Sequence, residues 1–165
     1  MGSPTADLVA RFYDALARRD GDAMAACYHP DVTFRDELFD LHGPMAGAMW
    51  RMLCDRGTGL QVVASGISAD ERTGRAHWAA DYTFSQTGRR VHNEVDAAFT
   101  FADGLIRTHV DRFDFGSWSR QALGLPGWLL GWTPWLRAKV SAEARRGLDA
   151  YVARHPEALG AAIGR

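Results

Sequence analysis

Four consecutive segments between residues 60 and 115 alternate apolar and polar side chains with period two, and no other feature constrains the fold as much. Leu60–Ser68 reads LQVVASGIS, and Arg75–Ser85 sets Trp78, Ala80, Tyr82 and Phe84 against His77, Asp81 and Thr83. Val91–Ala102 sets Val91, Asn93, Val95, Ala97, Phe99 and Phe101 against His92, Glu94, Asp96 and Thr100, and Leu105–Phe115 (LIRTHVDRFDF) closes the series. Successive side chains of a strand point to opposite faces, so each segment offers one dry and one wet face. The joints are short: Ala69–Gly74, Thr87-Gly88-Arg89, and the hairpin signal Asp103-Gly104. An antiparallel meander of this kind needs helices to cover its dry side.

Those helices are expected upstream. Ser3 or Thr5 can cap a first one, with Pro4 at an early position and Leu8, Val9, Phe12, Ala15 and Leu16 at helical spacing. Asp20-Gly21-Asp22 stops it, and Asp22 can cap a short second helix through Met24, Ala25 and Cys27. Pro30 disfavours helix at His29, so that helix ends at Tyr28-His29-Pro30-Asp31. Val32–Asp36 then reads as a short strand with Val32, Phe34 and Asp36 on one side, and 37–43 as a loop. Pro44 opens a third helix to about Arg56, with Met45, Met49, Trp50, Met52 and Leu53 as its buried face. The fold class is α+β: a curved antiparallel sheet, cone-shaped, wrapped on three N-terminal helices.

The pattern changes after Phe115. Six leucines and tryptophans from Trp128 to Leu136 follow Trp118, Leu123 and Leu125, punctuated by Gly124, Pro126, Gly127, Gly131 and Pro134. Leu136–Arg154 reads as a basic amphipathic helix with Val140, Ala144, Leu148 and Val152 on one stripe, and 160–165 should fray. The overall charge of −1 hides an asymmetry: residues 117–165 carry seven Lys/Arg against three Asp/Glu, a net +4, and the remainder is −5. The division expected is a cone domain over 1–116 and a helical extension over 117–165, packed on the cone or on a second subunit. Trp128, Leu129, Trp132 and Trp135 should then be buried, as a lid over the cone mouth or a clasp on a second chain. A contact with a membrane surface fits the same composition but is not the preferred reading.

Chemistry concentrates on the last strand. Alternation puts Arg107, His109, Asp111 and Phe113 on one face and Thr108, Val110 and Arg112 on the other. A histidine and an aspartate two apart on a dry face form the nucleus of an acid–base site, and Asp36 shares the apolar side of its own strand. A carboxylate in an apolar pocket is raised by desolvation, and a neighbouring histidine can hold or relay its proton. His77 and His92 share the wet face with Asp81 and Glu94 and read as surface polar residues, on a face available to a dimer. Cys27 and Cys54 read as small buried thiols rather than a disulfide or metal framework.

Two stretches, FYDALARRDGDAMAACYHPDVTFRD and FTFADGLIRTHVDRFD, resemble the nuclear transport factor 2-like superfamily, over about residues 5–115. That group includes steroid delta-isomerases, scytalone dehydratase, limonene epoxide hydrolase and SnoaL-like polyketide cyclases. With its Trp-rich tail the chain is most similar to a SnoaL-like subgroup. The resemblance implies the cone fold, and it carries the general base of the steroid isomerases onto Asp36. The tyrosine of their oxyanion hole falls on Phe12, with Tyr13 one residue off, and the aspartate falls on Ala97, while Asp96 faces the other way. Both donors are missing, so steroid isomerisation by that mechanism is not expected. The inward positions of the last strand fall on His109, Asp111 and Phe113, and SnoaL-like cyclases place a catalytic aspartate on a late strand, which Asp111 resembles. Asp36, His109 and Asp111 are therefore expected in one pocket walled by Phe12, Trp50, Trp78, Tyr82, Phe99 and Phe113, with Asn93 as a nearby amide.

Three function classes follow. The first is an enzyme without cofactor, an isomerase, cyclase or dehydratase acting on a small apolar molecule, and a homodimer. The second is a carrier using the same pocket without chemistry. The third is a dimerisation module whose aromatic, basic tail docks on a partner or a membrane surface. No glycine-rich phosphate loop follows a strand, no Gly-x-Ser-x-Gly occurs, and no His/Cys/Glu cluster sits at ligand spacing, so no metal, cofactor or nucleic acid is expected. The N-terminus has no secretory h-region and no apolar run nears the ~20 residues a bilayer requires, which makes the cytoplasm the expected compartment.

Overall fold

The computed structural model describes residues 2–57 and 59–160; of the stretch expected to fray, 160–165, all but Gly160 lies outside them. Helices α1 (Pro4–Ala17) and α2 (Gly21–Ala26) are followed by strands β1 (Tyr28–Arg35) and β2 (Asp40–His42) and then by helix α3 (Pro44–Arg56). The meander follows as β3 (Gln61–Ala69), β4 (Thr73–Phe84), β5 (Arg89–Ala102) and β6 (Leu105–Arg112). Helices α4 (Phe115–Leu123), α5 (Leu125–Leu130) and α6 (Pro134–Arg154) complete the chain with a 3-10 turn at Pro156–Leu159.

The six strands form one sheet in the order β2-β1-β6-β5-β4-β3. The meander β3–β6 is antiparallel, as its alternation requires, but β1 joins β6 in parallel, so the sheet is mixed. β3 bends where its register breaks between Ser65 and Ser68, at Gly66 with φ +61°, a bulge conformation that glycine adopts without strain. The sheet curls round α1 and α3, burying Leu8, Phe12, Phe34, Met49, Trp50 and Phe99 in one core. Ser3 caps α1, accepting from the Ala6 N–H at 3.1 Å. Asp103 (φ 53°) and Gly104 (φ 73°) make the β5–β6 hairpin turn.

Four local expectations need correction. The residues expected to end α2 instead open β1 at Tyr28, because the extended backbone that Pro30 imposes on His29 suits a strand as well as a helix end. Asp20, not Asp22, caps α2, accepting from the Ala23 N–H at 2.9 Å. The loop expected over 37–43 contains strand β2, which closes on Thr33–Arg35. Leu53, expected in the core, is 39 % exposed.

The tail closes an open edge of the sheet. β6 pairs with β5 only as far as Asp96↔Arg112, so the β5 backbone from 89 to 95, paired with β4 on one side, has no strand on the other. At His92 the Gln121 amide replaces the missing strand, accepting from the peptide N–H at 2.8 Å and donating to its carbonyl at 3.0 Å. This satisfies backbone groups that would otherwise be left unpaired at a sheet edge. Trp118 anchors α4 in a second small core with Val91, Phe115 and Leu136, and α6 is fixed by Leu148 and by Tyr151 donating to Asp55.

Candidate active site

The concave face of the sheet, α3 and the tail helices enclose a cavity of about 560 Å³. Trp50, Trp78, Tyr82, Asn93 and Phe113 line it, as expected, together with Asp36 and Asp111. Trp118, absent from the expected walls, also lines it and donates its indole N–H to Tyr82 Oη at 2.8 Å. Its tail walls, among them Leu130, Trp135 and Val140, lie outside the cone. The exposed lining residues, including Leu53, Arg56, Gln86 and Lys139, form the mouth.

The two carboxylates are neighbours because β1 and β6 run parallel. Phe34 pairs with His109 and Arg35 with Val110, so Asp36, one residue past the strand, stands level with Asp111. Asp36 Oδ1 accepts from the Leu38 and Phe39 N–H groups, both at 2.7 Å, which pins the side chain in a tight turn. Burial pushes Asp36 up from 3.8 to about 6; the two N–H bonds oppose the rise, and the Asp111 charge adds to it.

Asp111 is only 3 % exposed and is held from behind. His109 Nε2 lies 2.8 Å from Asp111 Oδ1, and His109 Nδ1 lies 2.8 Å from Tyr28 Oη, which also takes the Trp50 indole N–H at 2.7 Å. One arrangement uses every donor: Trp50 donates to Tyr28, Tyr28 donates to Nδ1, and the Nε2–H goes to Asp111. The chain of bonds runs from α3 through β1 and β6 to the cavity wall.

The expected constellation is met in part. His109 is fully buried and does not line the cavity; it reaches it only through Asp111. Phe12 and Phe99, expected as walls, stand one layer behind and pack on the His109 ring with centroids 5.4 and 4.5 Å away. Arg107, expected on the same face, is the extra residue of a bulge: Phe101 pairs with Ile106 and Thr100 with Thr108. The bulge turns Ile106 inward with His109 and sends the Arg107 guanidinium out to the Asp31 carbonyl.

The sequence reading missed Tyr28, which lies an even number of residues from Asp36 and so on its face once β1 begins at 28. It also gave no role to Tyr13, whose hydroxyl is buried without a hydrogen-bond partner among the described residues, as is the Trp78 indole N–H. Burial, with the Asp111 charge second, raises the Tyr13 phenol well above its ordinary value. On the wet face, His77 is hydrogen-bonded to Asp96 at 2.8 Å and His92 to Asp81 at 2.9 Å, and none of the four lines the cavity.

The model of the SnoaL-like domain family matches residues 9–109, which span α1 to β6 up to His109. The chain belongs to the SnoaL-like family. No curated protein matches it. An LEH-like epoxide hydrolase from M. tuberculosis shares the fold with 23% identity and a TM-score of 0.61, over 77% of this chain and 96% of that one. A polyketide cyclase candidate from Xanthomonas campestris pv. campestris aligns at 21% identity and TM-score 0.60, over 72% and 96%. AclR, a hydroxylase candidate from Streptomyces galilaeus, aligns at 18% and 0.58, over 68% and 90%. The match of the SnoaL-like model ends at β6, so the tail that walls the cavity and caps β5 falls outside it.

Proposed function

We propose that this SnoaL-like chain is a small-molecule enzyme that moves protons on an apolar, carbonyl-bearing substrate held in the cavity. The observation that carries the reading is the pair of level carboxylates in an otherwise aromatic and aliphatic cavity, one of them titrating at about 6. Asp36 is the proton-transfer group, since a base works best when its pKa lies near the working pH. Its ionised form takes a proton from the carbon next to the carbonyl and returns it to another carbon or to a departing oxygen. Those two outcomes are isomerisation and loss of water; ring closure by the carbanion is the third. Asp111 faces the same substrate as acid–base partner, and His109, with Tyr28 and Trp50 behind it, positions Asp111.

The families named for the structural neighbours, epoxide hydrolase and polyketide cyclase, support a small-molecule role at this fold position without choosing the reaction. The test is a screen of cyclic ketones and polyketide-like enones followed by Asp36→Asn and Asp111→Asn. Each variant should lose ~10²–10⁴-fold in turnover while still binding the substrate. If a substrate is bound and both variants convert it at the wild-type rate, the carboxylates are not the acid–base pair. If ligands bind and none is converted, the cavity belongs to a carrier.

A further inference from the structure

The tail presents an apolar surface that the other described residues leave open. Trp128 is 67 % exposed, Leu129 63 %, Trp132 82 % and Trp135 59 %. This corrects the expectation that they are buried as a lid; of these four, Trp135 alone lines the cavity. Cations are interleaved with the rings. Arg120 lies 5.2 Å over the Trp128 ring and Lys139 5.3 Å over that of Trp135. Trp128 and Trp132 share a depression of about 370 Å³ with Arg120 and Arg137. Residues 115–142 contain these three cations and no acidic residue. The flanking Asp114, also in the depression, is engaged in capping α4, and Arg137 is shared with Glu37 at 3.1 Å.

We propose that this face docks on an anionic lipid surface, with the Trp rings in the headgroup layer and Arg120, Arg137 and Lys139 toward the lipid phosphates. Tryptophan suits that layer because an apolar ring carries a single polar N–H. A basic face rich in tryptophan is the composition of a surface anchor rather than a span. Among the described residues no helix is long and apolar enough to cross a membrane. Charge favours lipid over the same face of a second copy: across an isologous contact Arg120, Arg137 and Lys139 would meet the same three cations.

The surface adjoins the mouth of the cavity, because Leu130, Trp135 and Lys139 belong to both. Docking therefore sets the mouth against the bilayer, and an apolar ligand passes from lipid to cavity without crossing water. That last step rests on the proposed ligand-binding function; the docking does not.

The experiment is co-sedimentation of the full chain with vesicles of phosphatidylcholine alone and of phosphatidylcholine mixed with phosphatidylglycerol. Binding should appear on the anionic vesicles, weaken with added salt, and fall about tenfold or more in Trp128→Ala/Trp132→Ala. Arg120→Gln/Arg137→Gln should lose affinity for anionic vesicles only. Quenching of the wild-type tryptophan emission by brominated lipid, reduced in the double Trp variant, gives a readout that does not depend on the folding of any variant. Asp36→Asn should bind vesicles like the wild type, which separates docking from catalysis. Absence of binding to anionic vesicles at low salt overturns the proposal. So does equal, salt-independent binding to both vesicle types, or a dimer that the double Trp variant converts to monomer.

Discussion

Replacing Asp36 by asparagine should stabilise the protein at neutral pH while removing its activity. The carboxyl ionises at 3.8 in the unfolded chain and at about 6 in the fold, chiefly because burial penalises the charge. Below the lower value both states carry the proton and the site is neutral in its effect. As pH rises from 3.8 to about 6 the unfolded state ionises first, the folded state binds more protons, and stability falls. Above about 6 the whole penalty is present. At 1.36 kcal/mol per pH unit the gap corresponds to roughly 3 kcal/mol, and partial access to cavity water reduces the expected effect to about 1–3 kcal/mol. Asparagine never ionises, and its Oδ1 can still accept from Leu38 and Phe39. Urea unfolding at several pH values, wild type against Asp36→Asn, isolates this group from all other carboxylates. The variant should gain stability over the wild type as pH rises through the window and hold the gain above it. Parallel curves for the two proteins, or a variant less stable at neutral pH, would refute the reasoning.

Two further changes probe the buried chain behind Asp111. Tyr28→Phe strips Trp50 Nε1 of its acceptor and His109 Nδ1 of its donor; at ~1–3 kcal/mol for each orphaned group, thermal or urea unfolding should show a loss of several kcal/mol with the fold retained. His109→Gln should lower turnover by freeing Asp111 from the Nε2–H that holds it, which steady-state rates on a converted substrate will show. Turnover at the wild-type rate would show that His109 does not position Asp111.

The meander was legible in the sequence because period-two alternation is a local property: Trp78, Tyr82, Val95 and Phe99 face inward whatever surrounds them. The helices α1 and α3 were legible for the same reason, from apolar spacing and from Pro4 and Pro44 at their starts. Asp36 and Asp111 were found because a carboxylate on the apolar side of a strand breaks the local rule. What the strand pattern could not contain was the pairing between strands distant in sequence. The parallel contact of β1 with β6 sets Asp36 level with Asp111, and a one-residue bulge at Arg107 reverses the facing of everything before it. Depth was equally hidden: alternation says that His109 points inward, but only the packed core decides that Phe12, Phe34, Trp50 and Phe99 seal it from the cavity and leave Tyr28 as its partner. The tail shows the limit most clearly. Its composition demands that tryptophans be covered, yet which of them the chain covers depends on where α4 meets the free edge of β5, and that contact buries Trp118 and leaves Trp128 and Trp132 outside. Local sequence sets which face of an element is apolar; only tertiary contact sets what that face meets.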